Sequence, residues 1–155
     1  MTKTTKFNAT YQGKIIGTRK SPRPYQFAIV AQHDEQAARA SAFDYQPTRT
    51  DRANFEWDTF KATCSPGATV TPPGWNNATT FSRAEIEASQ DRIAGDWSAY
   101  AERCRQRAIE NFEHYLKTGH FEPHVAAWSM SRANAEKASR RVTGRLLAIV
   151  SVEAA

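Results

Sequence analysis

Apolar and polar positions in the first 32 residues alternate in the short period of strands. Residues 5–11, 14–20 and 25–31 each favour β structure. Gln12-Gly13 supplies a tight turn between the first two, and Ser21-Pro22-Arg23-Pro24 interrupts the chain before the third. In that third segment Tyr25, Phe27 and Ile29 alternate with Gln26, Ala28 and Val30, so neighbours fall on opposite faces of a sheet. The three segments read as a β-meander over 1–32. Residues 33–42 then favour a short helix, with Asp34 and Glu35 near the end where the helix dipole welcomes negative charge.

Between 43 and 80 the periodicity dissolves. Pro47, Pro66, Pro72, Pro73, Gly67 and Gly74 punctuate the stretch, yet Phe43, Tyr45, Phe55, Trp57, Phe60 and Trp75 lie within it. Disordered linkers are poor in aromatics, so 33–80 reads as a short helix followed by an irregular aromatic excursion that folds by packing its rings. A second short helix is expected over 52–62. A long irregular stretch in a domain often serves as a partner surface, and the sequence leaves open whether these rings are core or interface.

The strongest helical signal begins at Ser82-Arg83-Ala84-Glu85, a capping box. Ile86, Ile93, Trp97, Tyr100, Cys104, Ala108, Phe112 and Leu116 follow as one stripe at helical period, and Gly119 stops it. A helix over 82–118 would be ~50 Å long at ~1.5 Å per residue. Either it kinks near Gly95, or it projects and pairs with a partner or with its own copy as a homodimer. Past Pro123, residues 124–152 read strand, helix, strand, with Ser131 as N-cap and Gly144 ending the helix. The last strand is apolar on both faces (Leu146, Leu147, Ala148, Ile149, Val150, Val152), as in an interior strand covered on both sides. Neither end holds enough strands to bury its apolar residues alone. The expected fold is therefore α+β in a single domain over 1–155: a mixed or antiparallel sheet from the N-terminal β-meander and the C-terminal strand–helix–strand, with one long helix.

Two segments carry a resemblance. FNATYQGKIIGTRKSPRPYQFAIVAQ and AAWSMSRANAEKASRRVTGRLLAIVSVE resemble small accessory proteins encoded by bacteriophages. Those proteins pair a short hairpin and an Ala-Val-Val-like strand with a Trp-Ser strand end, an Ala-Glu-Lys-Ala helix and a closing valine-rich strand. The likeness covers about a third of the chain and skips its middle. Some phage proteins of this size inhibit host defence systems such as CRISPR. The resemblance therefore implies a binding protein and carries over no catalytic residue.

Charge sharpens this picture. The chain has a formal net charge of +5. Residues 1–32 hold six cations (Lys3, Lys6, Lys14, Arg19, Lys20, Arg23) and no carboxylate, whereas 130–155 total +3 and the middle is acidic. If the two ends share a sheet, they build a basic face. Lys14, Arg19, Lys20 and Arg23 surround the second strand with Tyr25 adjacent, and Arg140 and Arg141 decorate the last helix beside Arg132 and Lys137. Such a set can hold phosphates and stack a base, or it can simply solubilise the sheet and guard its edge. Lys14, Arg19, Lys20, Arg23, Tyr25, Arg140 and Arg141 are the expected partner-binding residues.

No enzyme constellation emerges. His114, His120 and His124 lie close in sequence beside Glu113 and Glu122, but their spacing crosses a helix end at Gly119 and Pro123, so they read as surface or capping histidines rather than metal ligands. Cys104 sits on the apolar stripe, and nothing in the sequence places a base beside Cys64. Both cysteines are expected reduced and mostly buried. No glycine-rich phosphate loop is present, and Asp91, Asp96, Glu110 and Glu113 fall on a polar helix face. No cofactor, metal or catalytic residue is expected. An apolar leader and a membrane-length apolar run are both missing, which makes the host cytoplasm the expected location. The expected function is a non-enzymatic, phage-encoded binding protein, anti-CRISPR-like, that occludes the nucleic-acid or subunit interface of a host protein or ribonucleoprotein complex. The alternative is a small DNA- or RNA-binding regulatory protein.

Overall fold

The alternating segments at the N-terminus close as a hairpin. In the structure, a computed structural model that describes residues 4–155, β1 (Thr5–Tyr11) and β2 (Lys14–Ser21) pair antiparallel around Gln12-Gly13. Lys3, counted among the basic residues above, lies outside the described residues. Both turn residues take positive φ, 50° and 77°, as a two-residue hairpin turn of matching twist requires.

The expected meander stops there. β3 (Phe27–Gln32) does not pair with β2; it lies between β5 (Arg145–Ala154) and β4 (His124–Ser129) in a five-stranded sheet of order β2-β1-β5-β3-β4. Every ladder is antiparallel. The physical reason is length. β5 pairs with β3 from Arg145 to Ser151 and still reaches β1 with Val152, Glu153 and Ala154, so it wedges between the hairpin and the third strand. Both chain ends thus share one sheet of an α+β fold.

β5 is central but not covered on both faces: its middle is half-buried and Leu146 is 44% exposed. The strand that is sealed is β3, where Ala28, Ile29, Val30 and Ala31 are wholly buried. α5 (Arg132–Ser139) packs on β3, β4 and β5 through the buried Ala135, and its first turn is capped by Ser131 Oγ, which accepts the Asn134 N–H at 3.3 Å. The sheet curls until its two edges approach. A Cβ placed on Gly17 of β2 would stand 2.6 Å from Val125 Cγ2 of β4, so only glycine allows that approach.

Within the single domain expected over 1–155, the chain gathers into two compact units, residues 1–38 with 114–155 and residues 39–113. α1 (Glu35–Phe43) begins after β3. The second unit is built on α2 (Arg49–Ala62), α3 (Arg83–Ile93) and most of α4 (Trp97–Lys117). The helix expected over 82–118 is two helices. Gly95 adopts φ 94°, which breaks the ladder after Ala94, and Asp96 Oδ1 accepts the Ala99 N–H at 3.0 Å to restart it. α4 remains long, at 21 residues.

The aromatic excursion is more ordered than its sequence. Thr48 and Asp51 form a capping box that starts α2 three residues before the expected 52. Trp57 stacks on Trp75 at 5.3 Å and meets Phe81 edge-on, while Phe55 packs against Trp97 and Tyr100. Trp75 keeps 53% of its surface exposed.

Candidate functional site

Asn134, Lys137, Ala138 and Arg141 recur at i, i+3, i+4 and i+7, a single face of α5 and of the helical turn that continues it through Arg140. That face lines one wall of a cleft of about 670 Å³. The other wall is the start of β4, from His124 to Ala127, with His33 beside it at the exit of β3. Lys137 and Arg141 provide fixed positive charge, and no carboxylate stands among the lining residues.

The two imidazoles belong to a column of rings. Tyr115 stacks on His120 at 4.5 Å, His120 on His33 at 4.3 Å, and His33 on His124 at 4.7 Å. Backbone geometry builds the column. The antiparallel register pairs Ala31 with His124, which brings the end of β3 beside the start of β4. Gln32 Nε2 donates to the Phe121 carbonyl at 2.8 Å, and the His120 N–H donates to the Tyr115 carbonyl at 3.0 Å around Gly119, whose φ is 73°. Rings stacked face to face point their nitrogens outward in roughly parallel planes. They cannot converge on one ion, and among the described residues no group of histidine, cysteine and carboxylate side chains is arranged to hold a metal.

Burial pushes the His33 pKa below its ordinary 6.5, and the positive charge that His120 and His124 gain on protonation pushes it further down. The sign follows directly. A base with a lower pKa in the folded than in the unfolded state leaves the unfolded chain holding more protons between the two values, so stability rises with pH there. We expect the thermal midpoint to hold steady above about pH 6.5 and to fall as pH drops below it. Replacing His33 with glutamine should flatten that fall; an unchanged profile in H33Q would show that His33 is not its source. Asp34, Glu35 and Arg145 line a neighbouring hollow with His33.

The sequence-expected partner residues reach different places. Lys14 and Arg23 are exposed, at the hairpin end and in the turn after β2. Strand alternation sends Arg19 and Lys20 to opposite faces: Lys20 stands opposite Lys6, whereas Arg19 shares the face of Phe7. The Arg19 guanidinium sits 4.7 Å above the Tyr25 ring. Tyr25 itself is only 8% exposed and packs against Phe7 and Trp128, so its ring faces the core rather than a partner. Arg140 caps the C-terminus of α5 on the exposed side, and Arg141 turns into the cleft. His124 stands in the site, but not with the companions its sequence neighbourhood suggested: His114 rests near Tyr115, and His33, 87 residues upstream of His120, takes its place. Sequence spacing could not reveal His33, because its approach depends on the β3–β4 pairing.

Cys104 is not set up as a nucleophile. Burial, with the nearby Asp51 carboxylate, pushes the Cys104 thiol up. Cys64 is half-buried, with its thiol 3.4 Å from the Phe60 carbonyl.

The charge is strongly partitioned. The unit of residues 1–38 and 114–155 holds twelve lysines and arginines against five carboxylates, a formal +7, whereas residues 39–113 hold nine against eleven, or −2. No helix among the described residues is long and apolar enough to cross a membrane. Comparison with protein-family models, with curated proteins and with solved structures found no match to this chain.

Proposed function

We propose that the chain is a non-enzymatic binding protein whose basic sheet unit seats on the nucleic acid of a larger complex and occludes it. One observation carries this reading: a +7 unit contains a cleft with fixed cations and no carboxylate in its lining. A one-sign field around a concave surface steers polyanions to it and raises their local concentration. The side chains around the cleft offer hydrogen-bond donors and charge but no nucleophile with an orienting base, which favours binding over turnover. The resemblance of the end segments to phage accessory proteins supports a host defence ribonucleoprotein as the partner, with inhibition of the anti-CRISPR kind in the host cytoplasm.

The test is titration against a purified CRISPR ribonucleoprotein, with inhibition read as a function of stoichiometry. Inhibition should saturate at a fixed small ratio of protein to complex. Reversing Lys6, Lys20 and Arg23 to glutamate should weaken binding at least about tenfold at ~0.15 M salt and leave the thermal midpoint nearly unchanged. Arg19 is left in place because its guanidinium covers Tyr25, so its loss would cost packing as well as charge. Unchanged affinity in the triple variant would remove this surface from the contact. Sub-stoichiometric inhibition that grows with time would instead signal catalysis.

A further inference from the structure

We infer that the cleft between α5 and β4 is a nucleotide site, which seats one nucleoside phosphate unit of a single strand with its base stacked on His124 and its phosphate held by Lys137 and Arg141. The assignment rests on the reading that the partner is a nucleic acid, and it adds a place and a strandedness.

Three features on different elements converge. First, the column Tyr115–His120–His33–His124 is a ready-made stack with ring separations of 4.3 to 4.7 Å, and it ends at His124, in the cleft lining. A planar base added to that end continues a stack whose first rings are already ordered, so little conformational entropy remains to be lost. Second, Lys137 and Arg141 lie one helical turn apart on the same face, the spacing at which two cations can approach one phosphate. Asn134, a further turn back on that face, presents an amide able to donate to or accept from a base edge. Third, the lining also includes the apolar Val125, Ala127 and Val142, which suits a ring face and a sugar rather than a bare inorganic ion. The volume of about 670 Å³ falls inside the ~300–1,000 Å³ range usual for sites of this class.

Strandedness follows from geometry. A base can stack on His124 only with its face free, and in a duplex both faces are taken by neighbouring pairs. Stacking platforms of this kind serve single strands and tolerate sequence, because every base has a π-face.

Fluorescence anisotropy with a short single-stranded oligonucleotide, a duplex of the same sequence and AMP tests this. The single strand should bind more tightly than the duplex. His124→Ala should weaken it about tenfold, whereas His124→Phe, which preserves a ring, should retain most of the affinity. The double variant Lys137→Ala/Arg141→Ala should reduce the slope of log K on log salt by about 1.4 for a single strand. The three altered positions lie outside β3, and a thermal midpoint recorded for each variant separates lost binding from lost folding. Equal affinity for duplex and single strand, with H124A like wild type, would overturn the nucleotide site while leaving polyanion binding elsewhere on the basic unit intact. Failure of either nucleic acid to bind, with the ribonucleoprotein still inhibited, would overturn it in favour of a protein contact. AMP binding as tight as that of the strand would overturn the strand in favour of a free nucleotide.

Discussion

Replacing Gly144 with alanine is expected to destabilise the sheet unit by about 2–4 kcal/mol, the sum of a backbone term and a steric one. Gly144 turns the chain from α5 into β5 at φ 89°, a conformation that costs an L-residue about 1–2 kcal/mol. The added Cβ would also stand 2.5 Å from the Gln32 carbonyl oxygen and 3.2 Å from His33 Cα. These are backbone atoms at the end of β3, so no side-chain rotation relieves the clash. The variant should therefore push on His33 and disturb the cleft as well as the fold. Gly13→Ala is the matched control: Gly13 has φ 77°, and nothing lies within 4 Å of its added Cβ. Urea unfolding of both variants separates the terms, because only Gly144→Ala adds the clash. Equal losses in the two would show that the contact with β3 has no energetic weight.

Asp58→Ala is expected to cost about 3 kcal/mol, toward the lower end of the range for a broken buried pair because one partner is half in water. Asp58 of α2 is 5% exposed and joins that helix to α3. Arg92 donates to it from Nε at 2.9 Å and from Nη2 at 2.8 Å, Ser89 Oγ donates at 3.1 Å, and Lys61 Nζ lies 3.4 Å away. Burial by itself raises the carboxyl pKa, but the hydrogen bonds and charge of Arg92, helped by Ser89 and Lys61, outweigh it and hold the group below its ordinary value. With the folded pKa depressed, the stabilisation is present in full above the unfolded carboxylate range and is lost as pH falls through the folded value. Alanine leaves the mostly buried Lys61 without its carboxylate, and acid sensitivity of the helical unit should diminish. A double-mutant cycle with Arg92→Ala measures the coupling; strictly additive losses would show that the ion pair does not hold the two helices together.

Much of the fold was legible because local signals set it. The hairpin around Gln12-Gly13, the capping box at Ser82–Glu85 and the Ser131 cap depend on residues a few positions apart, whereas the last helix stops at Ser139, five residues before the Gly144 expected to end it. Pairings between distant segments were not legible. The β3 sequence fits beside β2 as well as it fits between β4 and β5, since alternation fixes which face a side chain takes but not which strand lies next to it. In the aromatic middle only the start of α2 was hidden: a helix was expected from 52, but Thr48 and Asp51 start it at Arg49, and α3 packs against it.

The candidate site divides along the same line. The sequence by itself determined the excess of positive charge at the two ends, the α+β class, and the placing of Arg132, Lys137, Arg140 and Arg141 on or beside the last helix, because charge and period are local properties of the chain. Tertiary structure alone decided that Tyr25 is core, that Arg19 covers it, and that His33 joins His120 and His124 in a column beside those cations. That column requires β3 to run antiparallel to β4 with Ala31 opposite His124, and a register of this kind is selected by burying the apolar face of the whole sheet rather than by any residue in the site.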